Sequence, residues 1–337
     1  MNYQPKHFDL PADAILAGDK ADDIQPYCFD EAITIAIDVA LATGRPLLVS
    51  GNPGCGKSRL ADAVAAVLGW SLLACTITSR TRAETLTAEV DQLRRLNDAQ
   101  ARQPKDALRP GGCYLEPGIF WWAFEPETAR VRGLAAVAAE THQAELPYPG
   151  LDRTPTAGKP AGTVLLIDEI DKAEPDLPND LLEPLDRRRF LLPAGFHVHR
   201  NGTESTEIQA PAADQLRLLT LITTNRERDL PQAFVRRCVL LEIEDPGVSR
   251  LVAIAQQHFP TGDAKRMEAI AKRLVDLQGQ AKGLRVRAPN TAELLDAVRA
   301  CEDLEIAIPD QPDPSSVWSH LERAVLAKDP DLRISRP

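Results

Sequence analysis

No apolar run in this chain of 337 residues approaches the roughly 20 residues needed to span a bilayer, which excludes an ordinary transmembrane helix. The opening MNYQPKHFDLPADAI lacks the basic-then-apolar order of a secretory leader. Cysteine is present but never in a C-x-x-C pair: Cys28, Cys55, Cys75, Cys113, Cys238 and Cys301 are scattered. That argues against a zinc cluster or a disulfide framework and fits a reducing cytoplasm. Positive charge is also short. A formal net charge of −10 argues against a constitutive nucleic-acid binder and accords with solubility. With 44% hydrophobic and 26% charged residues the composition is that of a soluble globular protein, long enough for one large domain or two moderate ones.

What the sequence does have is concentrated in 45–68, RPLLVSGNPGCGKSRLADAVAAVL. It contains G-x-x-x-x-G-K-S as Gly51, Gly56, Lys57 and Ser58. Glycines let the backbone turn tightly enough to aim N–H groups at phosphate oxygens, and the following helix presents its positive end there. Lys57 then reaches the β- and γ-phosphates and the Ser58 hydroxyl ligates Mg²⁺. Asn52, Pro53, Gly54 and Cys55 complete the loop and Arg59 follows it. Cys55 reads either as a redox handle or as a small side chain at a variable position. The context is the required one: Leu47-Leu48-Val49 as a buried strand, Ser58 to Leu68 as a helix with Leu60, Val64, Val67 and Leu68 on one face, and Gly69 as its end.

Residues 163–171, TVLLIDEID, read as an apolar strand ending in paired carboxylates. Asp168 is the candidate for holding Mg²⁺, and Glu169 for polarising the attacking water as general base. The stretch 216–225, LRLLTLITTN, is a second buried strand. It delivers Asn225 to the γ-phosphate or the water, or else uses it as a cap or turn residue. A short helix with Arg236 and Arg237 follows, then a strand at 239–243. An arginine there suits insertion into a neighbouring copy's site, against a surface pair satisfied within one subunit.

In this order, GNPGCGKS, LLIDEID, LITTN and AFVRRC resemble the Walker A, Walker B, sensor 1 and arginine-finger motifs of AAA+ ATPases. The GIFWWAF segment is similar to the MoxR and dynein-related branch, which carries an insertion in its second helix. The resemblance covers about 23–304. It implies an α/β P-loop NTPase: an αβα sandwich with a parallel sheet, followed by a small all-helical lid. It further implies a ring, usually hexameric, with ATP between subunits. Residue by residue, it implies Lys57 and Ser58 on phosphate and Mg²⁺, Asp168 on the metal and Glu169 on water. Asn225 becomes sensor 1, and Arg236 or Arg237 the finger acting in trans. ATP and Mg²⁺ are the implied cofactors, and a von Willebrand factor A-type protein the implied partner. The chain departs from the branch at sensor 2. Where an S-P-R start is expected it has Arg287-Ala288-Pro289-Asn290-Thr291. Arg287 is then the candidate phosphate contact from upstream, while Asn290 with Glu293 reads as a capping box opening a helix at 291–301.

The expected organisation is an N-terminal arm at 1–25, a nucleotide-binding core at 26–246, a helical lid at 247–304 and a linker with a final helix at 305–337. Within the core lie a helix at 29–42 and a strand at 71–77. An insertion spans about 124–162, with Glu127 to Glu145 helical, and a hairpin about 190–209. The lid helices are expected at 249–258, 265–279 and 291–304, and the final helix at 316–328 with Val317, Trp318, Leu321, Val325 and Leu326 as a docking face. Phe120-Trp121-Trp122-Phe124 either packs in the core or faces a ring pore. His197 and His199 share one face of a strand as a metal pair or a plain surface hairpin. Arg187-Arg188-Arg189 continue the helix after the acidic strand. Three functions compete: a remodeller of a protein partner, an ATP-gated scaffold with slow hydrolysis, and a DNA-processing motor, which the acidic charge disfavours. Membrane and nucleic acid are not expected partners.

Overall fold

A computed structural model describes residues 4–8, 10, 15, 16, 18, 25–101, 111–135, 144, 162–200, 202–211, 217–309 and 313–334. The chain forms two compact units: residues 1–9, 35–49 and 64–241, and residues 10–34, 50–63 and 242–337.

The first unit is organised by a parallel five-stranded sheet. Its strands, numbered in chain order, are β1 (Leu47–Gly51), β2 (Ser71–Thr76), β3 (Gly162–Asp168), β4 (Arg217–Thr224) and β5 (Val239–Ile243), and their spatial order is β5-β1-β4-β3-β2. β3 and β4 are continuous apolar runs because both faces of a parallel sheet are covered. Val164, Leu165, Ile167, Leu221 and Ile222 are all fully buried. Register is fixed along the whole of β3, with Val164 beside Leu72 on one side and Leu219 on the other. Gly162 opens β3 where the Trp70 indole lies flat against it; a Cβ there would stand 2.4 Å from Trp70 Cδ2.

The aromatic segment forms the helix Ile119–Phe124, whose six side chains are all buried, so the core reading of Phe120, Trp121, Trp122 and Phe124 is the one that holds. Trp121 Nε1 donates to Thr128 Oγ1 at 3.0 Å. The helix is brief: Pro126–Arg130 adds one further turn, and the helix expected to run to Glu145 stops there, because Val131 to Gly133 form a turn with Arg132 and Gly133 at positive φ; residues 136–143 and 145–161 lie outside the described residues. The hairpin expected near 190–209 is a double one. Arg189–Leu191 pairs with Glu207–Gln209, and Val198–Arg200 pairs with Thr203–Ser205. Phe196 and Val198 point inward, while His197 and His199 alternate outward; no metal-binding cluster occurs among the described residues.

The arginine run departs from expectation. Arg187 ends the helix Leu182–Arg187, Arg188 takes a left-handed conformation (φ 50°), and Arg189 is already in a strand. Arg188 Nη2 donates to Gly44 O at 3.1 Å, and burial pulls its basicity down. One anchor was not anticipated. The buried Asp38 carboxylate accepts the N–H groups of Lys6, His7 and Phe8, fixing the first residues onto the helix Glu31–Thr43.

In the second unit, the helices Val248–His258, Ala264–Leu284, Thr291–Asp303 and Val317–Val325 pack around Leu251, Met267, Leu274, Leu294 and Val298. Each of the last three starts on a side-chain cap: Asp263, Asn290 and Ser316 accept from Lys265, Glu293 and Ser319 N–H respectively. Ala264–Leu284 outruns its expected end and stops at Arg285, which is left-handed at φ 58°. Trp318, Leu321 and Leu326 are buried and Val325 is half-buried, but Val317, expected on the same docking face, is exposed at the first residue of the helix.

Candidate functional site

Two groups of candidate residues emerge, one in each unit. In the second unit the loop after β1 turns through Gly51, Gly54 and Gly56, all at positive φ, into the helix Lys57–Leu68. Two of these glycines are required by space as well as conformation. A Cβ on Gly51 would lie 2.6 Å from Ile243 O, and one on Gly54 would collide with the Asn290 amide. Lys57 is buried and its Nζ donates to the loop's own carbonyls, Gly51 O at 2.8 Å and Asn52 O at 3.0 Å. Asn52 Nδ2 donates to Asp245 at 2.7 Å. Pro53 stands exposed between Asn52 and Gly54 at the loop's apex. Ser58 follows Lys57 in the first turn of the helix, and next to it Arg59 lies 3.7 Å from Asp62 in a surface pair. Cys55 is half-buried; burial pushes its thiol up, against the opposing pull of the Lys57 charge.

Beside Gly54, Cys55 and Gly56 opens a cavity of about 330 Å³. Tyr27, Arg250, His258, Leu295, Asp296 and Arg299 contribute to its wall. Sequence reasoning found none of these, since they converge from three separate segments. Arg250 is fixed by Cys28 O at 3.0 Å and by the Asp30 carboxylate. Burial, and then Arg299 and Arg59, hold His258 below the ordinary histidine range, and burial pushes the Tyr27 phenol well above its own. A half-apolar hollow next to backbone N–H groups at a helix start suits a ring-and-sugar ligand carrying phosphates. Arg287, by contrast, lies against Glu293 at 3.0 Å, within the capping box that Asn290 and Glu293 form as expected.

In the first unit, the carboxyl ends of neighbouring β3 and β4 bring together Asp168, Glu169 and Asn225. Thr223, fully buried, is their hub: its hydroxyl donates to Asp168 Oδ1 at 2.6 Å and accepts the Glu169 N–H at 2.8 Å. Glu169 is left-handed (φ 61°), a conformation that costs a β-carbon residue about 1 kcal/mol or more and that the Thr223 contact helps to hold. Its carboxylate receives Asn225 Nδ2 at 3.4 Å on one oxygen and Lys172 Nζ at 2.7 Å on the other. That contact raises Lys172 above its ordinary value, the hydrogen bond to Glu169 being the main cause.

Asp171 is a second residue that sequence reasoning passed over. It is buried, and its Oδ2 accepts the N–H groups of Asn225 at 3.1 Å and Glu227 at 2.9 Å, clamping the turn after β4. The signal was available, as the third acid in IDEID. Cys75, paired in register with Ile167 next to Asp168, has its thiol pushed up to about 12 by burial and then by that carboxylate.

The two arginines separate. Arg237 Nη1 donates to Ala233 O at 2.9 Å and its Nε lies 3.5 Å from Asp186. Arg236 is exposed, and its guanidinium has no partner among the described residues. Chemically, a fixed carboxylate with a neighbouring amide can orient and deprotonate a water, and an exposed guanidinium can stabilise charge elsewhere.

Among known families, the model of the AAA domain (dynein-related subfamily) matches residues 46–238, more than half of the chain. No curated protein matches the sequence.

Proposed function

The chain belongs to the AAA domain family, dynein-related subfamily, and from that premise we propose that it hydrolyses Mg-ATP at interfaces between its own copies to remodel or activate a protein partner. The family is one of P-loop ATPases, and AAA+ domains generally form oligomeric rings. The observation that carries the proposal is the group at the ends of β3 and β4, in which Thr223 bonds Asp168 and the Glu169 N–H while the Asn225 amide donates to the Glu169 carboxylate.

In this reading the loop from Gly51 to Gly56 cradles the phosphates, and Lys57 leaves its own carbonyls for them. The loop fits such a guest: its glycines expose backbone at positive φ and its lysine is already poised over the turn. Ser58 and Asp168 would hold Mg²⁺ through the oxygen donors it prefers, and the ion would supply positive charge against the phosphate oxygens. Glu169 takes a proton from water that Asn225 orients. Arg236 or Arg237 completes a neighbour's site in a closed ring, a hexamer in the MoxR manner. The core at 26–246, the lid at 247–304 and the segment 305–337 are the working divisions. A von Willebrand factor A-type protein is the proposed client, in the cytoplasm. Among the described residues no helix is long and apolar enough to cross a membrane.

The test is turnover per subunit across a wide range of protein concentration, with particle mass followed in parallel. Turnover that rises as larger particles form supports the shared site; flat turnover from a monomer removes it. One observation favours a second reading, an ATP-gated scaffold with slow hydrolysis: Lys172 occupies one oxygen of the Glu169 carboxylate and competes with water for it.

A further inference from the structure

Asp171 lies in the short turn Ile170–Lys172 that follows β3, and only 2% of it is exposed. A polar side chain buried in this way costs stability unless its oxygens are bonded. Oδ2 accepts two main-chain N–H groups, Asn225 at 3.1 Å and Glu227 at 2.9 Å. Arg226, between them, is left-handed at φ 58°, and the N–H groups of such a turn form a concavity suited to an anion. Asp171 is the anion that fills it. The second oxygen, Oδ1, is buried without a hydrogen-bond partner among the described residues. One oxygen carries the bonding.

The turn it holds is strained and braced from several sides. An arginine stays in the left-handed region only where its surroundings keep it there. The Arg226 N–H donates to Thr224 Oγ1 at 3.0 Å, and Arg228 Nη1 donates to Ala173 O at 3.0 Å, two residues past Asp171. What the turn carries is Asn225. Its main-chain N–H is on Asp171, and its Nδ2 donates to Glu169 Oε1 at 3.4 Å. At that length a small rotation of the turn breaks the contact.

We infer that Asp171 is a positioning residue: by holding the 225–227 turn through Oδ2, it sets where the Asn225 amide meets the Glu169 carboxylate. The inference rests on the ATPase reading and adds a residue to it. Asp171 acts through Asn225, and its charge is dispensable, because one carbonyl oxygen with two lone pairs can accept both N–H groups. Asparagine has that oxygen and places its NH₂ where Oδ1 stands unpartnered. Alanine has neither, and Arg226 is then free to relax to negative φ.

The experiment measures steady-state turnover and MgATP affinity of the full chain, unaltered and as Asp171→Ala, Asp171→Asn, Asn225→Ala and the Asp171→Ala, Asn225→Ala double variant. Asp171→Ala is expected to lose about tenfold or more in kcat, with the Kd for MgATP within about twofold of the unaltered protein. Asp171→Asn recovers kcat to within about threefold. The double variant is no slower than Asn225→Ala, since both losses run through one side chain. Losses that multiply in the double variant overturn the inference. So does an asparagine variant as slow as alanine, which would assign the effect to the charge. Should Asp171→Ala fail to fold, Asp171→Ser replaces it: one atom shorter, serine cannot reach both N–H groups. A several-fold loss of kcat in that variant supports the inference, and turnover equal to the asparagine variant overturns it. If Asn225→Ala loses turnover while Asp171→Ala keeps it, the inference falls and the ATPase reading stands. Normal turnover in Asn225→Ala also removes the inference. If the unaltered chain has no turnover under any condition, the ATPase reading falls and takes the inference with it.

Discussion

The Thr223 hydroxyl sits between two carboxylate-bearing residues of one strand end, donating to Asp168 Oδ1 at 2.6 Å while accepting the Glu169 backbone N–H at 2.8 Å. Thr223→Val keeps the shape and removes both bonds, leaving a buried N–H without its acceptor. The expected stability loss is about 1–3 kcal/mol. Turnover falls roughly tenfold or more while ATP affinity is kept, since the damage is to the orientation of Glu169 rather than to the loop. Chemical denaturation, ATP titration and steady-state turnover on one preparation check all three.

Lys57→Ala and Glu169→Gln divide binding from chemistry. Lys57 is buried with its charge directed at two loop carbonyls, so its loss removes the cation that meets the phosphates, and nucleotide binding is abolished. Glu169→Gln retains an oxygen for Asn225 and loses the base; it binds ATP and stalls. Equilibrium binding with single-turnover hydrolysis separates the two outcomes.

Arg236 and Arg237 are predicted to differ. Arg237 is engaged within its own unit by Ala233 O and Asp186, whereas Arg236 is exposed and available to a second copy. Arg236→Ala spares ATP binding and cuts turnover about a thousandfold. Arg237→Ala loses an outer surface pair worth about 1 kcal/mol at most and retains most turnover. Equal losses in both variants would return the assignment to the ambiguity of the sequence. Normal turnover in both and in the double variant would remove the shared site.

Lys172→Ala frees one oxygen of Glu169 from an ammonium 2.7 Å away. If that contact restrains hydrolysis, the variant turns over faster at unchanged ATP affinity; slower turnover assigns Lys172 to the support of Glu169 instead. The pair is surface-exposed, so raising salt in the unaltered protein moves turnover in the same direction as the mutation.

Alkaline pH is predicted to destabilise the fold through buried thiols. Burial pushes Cys75 and Cys238 each from 9.0 up to about 12. The folded state therefore retains protons that the unfolded chain releases. This stabilisation is fully present below pH 9 and is lost as pH rises towards 12. A Cys75→Ala, Cys238→Ala double variant should show a shallower fall of melting temperature across that window. An identical slope would place the alkaline loss elsewhere, for example on the Tyr27 phenol, which burial raises in the same sense.

Legibility followed the range of the interactions. The glycines of the phosphate loop, the Asn290–Glu293 capping box and the buried runs of β3 and β4 are set by neighbours a few residues apart, and a sequence displays them directly. Thr223 and Asp171 owe their roles to contacts across more than fifty positions, made only when β3 and β4 lie side by side. The cavity wall from Tyr27 to Arg299 is of the same kind. Arg187-Arg188-Arg189 shows a different failure. A run of good helix formers gives no local stop signal, yet Arg188 is left-handed because Phe190 is drawn into the core as part of the next strand.

The strand order has a consequence for how the protein is made. β1, which leads into the phosphate loop, lies between β4 and β5, and these are synthesised last of the five. At roughly 5–20 residues per second a ribosome delivers them some ten seconds or more after Leu47-Leu48-Val49 has emerged. Throughout that interval both edges of β1 are open, and the segment is an apolar template for wrong pairing. Nascent-chain binding by chaperones should peak before residue 217 is synthesised and end once residue 243 has cleared the tunnel. A chain truncated between residues 225 and 238 has β4 but lacks β5, and leaves one edge of β1 open for good.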